Sequence, residues 1–309
     1  MDNISDAMQR YMDQHQLNHN YQELMQRVYQ DADVQAFIKA NDADLDEQQI
    51  DRSSAKLYEY VTERDRLAAG QQTFAPGYEP KLIMNNHLID VAYLPTEAQI
   101  AKQKQQSLHK RVNSVLMPKL IRKASFDHFD ASDKDRVPAL MAALDFTDAY
   151  VAAPKDYHQG LYFYGSFGVG KTYLLGAIAN RLAEKGFKST LVHFPSFAVE
   201  MKNAIGNNQV AEKLDAIKKA PVLMIDDIGA DAMSAWVRDE VLGVILEYRM
   251  QSELTTFFSS NFSMDQLEKE HLQVTQKGDV EPLKAKRLMQ RFHFLAKEIE
   301  MIGKNRRPN

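Results

Sequence analysis

Gly165-Ser166-Phe167-Gly168-Val169-Gly170-Lys171-Thr172 satisfies the pattern G-x-x-x-x-G-K-[ST] at every fixed position. Immediately before it, Leu161-Tyr162-Phe163-Tyr164 is short, aromatic and bounded by glycines, which reads as a buried strand. After it, Leu174, Leu175, Ile178 and Leu182 recur at helical spacing, so an amphipathic helix opens at Thr172. A glycine-rich turn between strand and helix is the setting this motif requires, and both flanks supply it.

Each position has its own chemical reason. Glycines at 165, 168 and 170 let the backbone turn several N–H groups toward one anion. The first turn of the following helix leaves N–H groups without intrahelical partners, and its dipole adds positive charge at the same point. Lys171 is expected to face solvent and reach the β- and γ-phosphates of a nucleotide, and the Thr172 hydroxyl to ligate Mg²⁺.

A length of 309 residues suggests two domains. Apolar content of 44% and charged content of 26% are those of a chain able to build a sizeable core. The net charge of −4 makes no case for nucleic acid, but its distribution is uneven. From residue 282 onward, Lys284, Lys286, Arg287, Arg291, Lys297, Lys304, Arg306 and Arg307 are opposed only by Glu298 and Glu300, whereas residues 1–60 are acidic on balance. Different ends therefore suit different partners. With no cysteine, disulfides, thiolate zinc sites and cysteine nucleophiles are excluded. No leader-like or membrane-spanning apolar run is present, so a cytoplasmic location is expected.

Residues 4–60 read as helices joined by polar turns, with Leu17, Tyr21, Leu24, Met25 and Val28, and later Leu57, Tyr58 and Val61, at helical spacing. Phe74-Ala75-Pro76-Gly77-Tyr78-Glu79-Pro80 is a turn-rich break. Residues 81–84 and 87–93 then suggest a hairpin across Asn85-Asn86. Residues 96–112 read as an exposed helix or linker. We therefore expect an amino-terminal domain over 1–112, a linker over 113–136 and a nucleotide-binding domain over 137–309. In the last, Ser189–Phe194, Thr255–Ser260 and a short piece at 299–302 read as strands. Trp236–Arg249 and 282–297 read as helices. Pro221-Val222-Leu223-Met224-Ile225-Asp226-Asp227 is continuously apolar until two carboxylates end it, as a strand buried on both faces of a parallel sheet should be. The fold class is α/β with a parallel central sheet.

Ligands of open α/β sheets bind beyond the carboxyl ends of the strands, which places Asp226 and Asp227 on the phosphate side. Asp226 suits a second anchor for Mg²⁺, and Asp227 can orient or deprotonate an attacking water. Asn261, ending Ser259-Ser260-Asn261, has an amide suited to holding that water. Arg287 and Arg291 lie four apart, on one helix face, where either can serve a neighbouring subunit's nucleotide.

These stretches, with Asp226-Asp227-Ile228-Gly229 and the tail Lys286-Arg287-Leu288-Met289-Gln290-Arg291…Gly303-Lys304-Asn305-Arg306-Arg307, resemble the AAA+ helicase loaders of the DnaC/DnaI group. Gly77-Tyr78-Glu79-Pro80-Lys81-Leu82 looks like the amino-terminal domain of the DnaI branch. The resemblance implies an AAA+ P-loop ATPase domain preceded by a smaller, mostly helical domain. It implies an ATP-dependent loader delivering a hexameric replicative helicase onto single-stranded DNA during initiation or restart of replication, self-associating through its ATPase domain. Lys171 and Thr172 would be Walker A, Asp226 and Asp227 Walker B, and Asn261 sensor 1. Arg291, then Arg287, would be the arginine finger, and Arg306 or Arg307 sensor 2. Two other functions fit the core: a transposase helper ATPase of the IstB type, and a nucleotide-dependent adaptor with negligible hydrolysis. Aspartate stands where AAA+ proteins usually carry a Walker B glutamate, so turnover is expected to be slow. The family's zinc site lacks its cysteines here, so apolar packing is expected to hold the amino-terminal domain instead.

Overall fold

The structure, a computed structural model, describes residues 17–115, 119–231, 233–273 and 280–306. The chain divides into two compact units, Met1–Gln105 and Gln106–Asn309.

The first unit contains helices α1 (Leu17–Tyr29), α2 (Ala32–Ala40), α3 (Glu47–Arg52) and α4 (Ser54–Ala68), then strands β1 (Tyr78–Asn85) and β2 (Leu88–Pro95). Helix α5 (Glu97–Arg111) begins here. Caps set the helix starts. Asp31 accepts from the N–H groups of Asp33 and Val34, and Asp46 with Gln49 forms a reciprocal capping box, as the first turn's unpaired donors demand. The hairpin turns through Asn86 and His87, both in the left-handed region at φ 50° and 60°, matching the strand twist. Met25, Val28, Val34, Leu57, Val61 and Ile89 form the buried core. Ser53 Oγ accepts from the Ile89 N–H at 3.0 Å, tying hairpin to helix. The buried Glu63 carboxylate accepts from the Phe74 N–H at 2.6 Å and so holds the crossing between them. His87 is exposed in its turn. Among the described residues no group of three His, Asp or Glu is arranged to hold a metal ion.

The second unit is built on a six-stranded sheet, all parallel, in the order β3-β5-β6-β7-β4-β8. The strands are β3 (Val112–Val115), β4 (Gly160–Tyr164), β5 (Ser189–His193), β6 (Val222–Ile228), β7 (Thr256–Ser260) and β8 (Ala296–Glu300). Side chains alternate across a strand. Val222 and Met224 of β6 accordingly join one buried cluster, while Leu223 and Ile225 join another. The first cluster is completed by α6 (Val137–Ala152) and α7 (Lys171–Glu184). The second is completed by α8 (Phe194–Ala204), α9 (Val210–Lys218), α10 (Gly243–Gln251) and α11 (Pro282–Leu295). Among the described residues no helix is long and apolar enough to cross a membrane.

Two sequence readings need correction. Where it is described, the stretch expected as a linker over 113–136 is packed into the domain: β3 pairs with β5 as the sheet's edge, and Ile121, Ala124 and Phe129 are buried. The Asn180 side chain of α7 donates to the Ile121 and Ala124 carbonyls at 3.2 and 2.7 Å, giving this irregular stretch the backbone partners it cannot find locally. The helix expected over Trp236–Arg249 is present, its early turns widened to π geometry over Val237–Leu242. There the buried Arg238 donates to the Leu272 carbonyl at 3.0 Å and pairs with Asp239 and Glu281. The last strand begins at Ala296, not 299, because its register pairs Ala296 with Gly160, the first residue of β4.

Candidate functional site

The phosphate loop leaves β4 and enters α7 through Gly165, Gly168 and Gly170, at φ 146°, 78° and 103°. At Gly165 close approach to backbone as well as dihedral freedom demands glycine, and at Gly168 a side chain would have to displace a neighbour. A Cβ at Gly165 would collide with the Met301 carbonyl, and one at Gly168 with the Asn305 side chain. The tail after β8 thus lies directly over the loop, with Met301 N–H donating to the Tyr164 carbonyl at 2.7 Å and Arg306 N–H to the Gly168 carbonyl at 2.9 Å. Val169 is fully buried and anchors the loop in the core, while Phe167 is exposed at its tip.

Lys171 does not face solvent. It is 7% exposed, and its Nζ donates to the carbonyls of Gly165 (2.8 Å) and Ser166 (3.0 Å) and to Asn261 Oδ1 (2.9 Å). The ammonium is thus held by the curl of the loop and by the end of β7. Thr172 Oγ1 donates to Asp226 Oδ1 at 2.8 Å, and Ser259 Oγ donates to the same oxygen at 2.5 Å. Asp226 is 3% exposed, and burial pushes its carboxyl above the usual range against those two hydrogen bonds, with Asp227 pushing the same way. A buried carboxylate facing neutral donors is a site that a divalent cation would suit.

Asp227 lies at a register shift between β6 and β7, with φ 61°. Few residues other than glycine adopt that region, aspartate and asparagine more readily than most. Its N–H donates to Ser259 Oγ at 3.0 Å, and its Oδ1 accepts from Asn261 Nδ2 at 3.3 Å. Its Oδ2 lies 3.7 Å from His193 Nε2, whose Nδ1 is 2.8 Å from Ser196 Oγ. At this shift the second carboxylate sits beside Asn261 and His193 and lines a pocket of about 390 Å³.

Lys171, Thr172, Asp226, Asp227, Asn261 and Arg306 all line that pocket. Arg306 pairs there with Asp130. Arg307 lies outside the described residues. The two helix arginines do not line it: Arg287 is exposed, and Arg291 pairs with Glu247 at 2.6 Å and donates to the Gly243 carbonyl at 3.0 Å. Sequence reasoning missed Ser259, His193 and the wall contributed by His128, Phe129, Asp130 and Arg136. His193 was findable, since it ends a strand on the phosphate side.

A parallel sheet with a phosphate loop after β4, paired aspartates ending β6 and a polar asparagine after the intervening β7 is the arrangement of an AAA+ P-loop nucleotide-binding domain. Residues 1–93 match the family model of the primosomal protein DnaI N-terminus, and residues 120–290 that of the bacterial DnaA ATPase domain. The replicative helicase loader DnaI of Bacillus subtilis (strain 168) is 42% identical over 294 residues, 93% of each chain. A crystal structure of DnaI superposes with a TM-score of 0.56 at 44% identity, covering 65% of this chain and 99% of that one. A putative primosome component from Streptococcus pyogenes serotype M3 gives 0.55 at 44% identity, covering 66% and 100%. The chain belongs to the DnaI family of replicative helicase loaders.

Proposed function

We propose that this protein binds Mg·ATP in the pocket under its phosphate loop and uses the bound state to deliver the hexameric replicative helicase onto single-stranded DNA. The observation that carries this reading is the convergence of Lys171, Thr172, Asp226, Asp227 and Asn261 at one pocket in a chain similar over nearly its whole length to a loader. The match of residues 1–93 to the DnaI amino terminus favours the loader over a transposase helper. In this reading the first unit holds the helicase, and the second binds nucleotide and DNA and self-associates.

Backbone N–H groups of 168–172 and the Lys171 ammonium bind the phosphate chain, and Thr172 with Asp226 would hold Mg²⁺. When bound, the metal neutralises charge developing on the phosphates. Lys171 then exchanges its carbonyl and amide partners for phosphate oxygens, which frees the Asn261 amide. Asp227 and Asn261, already 3.3 Å apart, orient the attacking water, and Asp227 accepts its proton. The short aspartate side chain reaches less far than glutamate, so turnover is slow. Arg306 supplies positive charge from the tail as sensor 2, with Arg307 the adjacent alternative. Arg291 acts on a neighbour's nucleotide only by leaving Glu247, whereas the exposed Arg287 needs no such exchange. The test is helicase loading onto a single-stranded circle, with and without ATP, for wild type and Lys171→Ala. Equal loading by both would overturn the nucleotide's role, and no loading by wild type would overturn the loader.

A further inference from the structure

Arg136 stands where electrostatics argues against a structural cation. It is 2% exposed, and burial pushes its guanidinium below its ordinary value, with the Asp133 carboxylate opposing that only in part. It occupies the N-cap position of α6, the positive end of a helix dipole, which disfavours positive charge. Among the described residues no carboxylate lies within ion-pair distance of it. Its contacts are the Asp130 carbonyl, 2.5 Å from Nη1, and the face of Phe129, 4.1 Å from Cζ. Its Nε has no hydrogen-bond partner. A buried charge held this way is costly unless an anion meets it.

Its position says which anion. Arg136 lines the nucleotide pocket, and its Nη2 lies 2.7 Å from where a Cβ on Gly170 would sit. Gly170 is the N-cap of α7, the point at which a phosphate loop presents its N–H groups to an anion. We propose that Arg136 is a second cationic ligand of the nucleotide's phosphate chain, reaching it beside Gly170. This rests on the reading that the pocket binds ATP. It adds to the ATPase core a charge supplied by the segment that precedes it, so that nucleotide and the 119–136 wall stabilise each other. Nucleoside diphosphates and triphosphates both gain from it, and a neutral nucleoside gains nothing.

The experiment measures two quantities on the full chain: the melting temperature without nucleotide, and the affinity for a ribose-labelled fluorescent ATP with Mg²⁺. The variants are Arg136→Met, which keeps the apolar stem, and Arg136→Lys, which keeps the charge. Met should melt at or above the wild-type temperature, because it removes a buried charge that Asp133 offsets only in part. It should bind ATP on the order of 10- to 100-fold more weakly, the value of hydrogen bonds to a charged group. Lys should recover part of that affinity. Unchanged affinity for Met, or a lowered melting temperature with affinity kept, would make Arg136 a structural brace and overturn the proposal. Failure of wild type to bind the probe would instead overturn the ATP reading of the pocket.

Discussion

Ser259→Ala tests whether the two aspartates act as one unit. Ser259 is 1% exposed, and its hydroxyl does two things at once. It donates to Asp226 Oδ1 at 2.5 Å and accepts from the Asp227 N–H at 3.0 Å. Alanine removes a hydrogen bond to a buried carboxylate, about 1.5–3 kcal/mol, and strands a backbone donor, about 1–3 kcal/mol. Because the two losses share one atom they do not simply add, and about 3 kcal/mol is expected at pH 7. For a unit of this size that is a fall in melting temperature of roughly 6–12 °C. The penalty should also depend on pH. Asp226 titrates above its ordinary range in the folded protein. Stability therefore falls as pH rises from the ordinary carboxylate value toward the raised one, where the buried charge forms. Ser259 lowers that raised value, so its loss should cost most at high pH, and less once Asp226 is protonated. Urea melts of wild type and variant between pH 5 and 8 read this directly. A loss below about 0.5 kcal/mol at pH 7, or a gap that widens toward low pH, would refute the reasoning.

Lys171→Ala should lose the ATP-dependent stabilisation that wild type gains, roughly 2.7 kcal/mol at a hundredfold excess over Kd. It should also cost about 1 kcal/mol without nucleotide, since the buried ammonium ties Gly165, Ser166 and Asn261 together; thermal shifts with and without Mg·ATP give both numbers. Arg291→Ala should keep ATP affinity and lose on the order of 10³-fold in turnover if it serves a neighbour's site. Mixing it with Lys171→Ala should then restore part of the activity when DNA or helicase brings subunits together, and a mixture as inactive as its components would exclude that role. A chelator should leave the melting of the full chain unchanged and metal analysis should find no stoichiometric zinc; unfolding on chelation would show that His, Asp and Glu had replaced the missing cysteines.

The parts of the site set by local chemistry were legible in the sequence. The loop announces itself through glycines that only one backbone path requires, and β6 through an apolar run cut off by charge. The hairpin was legible for the same reason, but its turn falls on Asn86 and His87, one residue later than Asn85-Asn86, because Asn85 pairs with Leu88 and closes the ladder. Residues 119–136 were not, because Ile121, Ala124 and Phe129 follow no period, and the carbonyls of Ile121 and Ala124 are held by Asn180, far along the chain. Ser259 reads as any small strand residue, and only the pairing of β6 with β7 reveals that it bridges two aspartates. The enclosure of Lys171 is invisible in the sequence, since the carbonyls around it come from the curl of the loop itself. Arg136 lies outside every motif, and its meaning appears only once Gly170 is seen beside it.

The sheet order also has a consequence for how the chain is made. The strand that carries the phosphate loop, β4, is flanked by β7 and β8, and the ribosome makes both after it. From Tyr164 to the first residue of β7, Thr256, about 90 residues must be added, roughly 5–20 s of synthesis at ordinary rates. Throughout that interval Leu161-Tyr162-Phe163-Tyr164 has two open edges, and such an apolar strand invites pairing with other chains. Nor can a chain at that stage hold nucleotide as the finished domain does, because Met301 and Arg306, which close over the loop, are made later still. Newly made protein should therefore pass through a long interval of dependence on chaperones before its first nucleotide arrives.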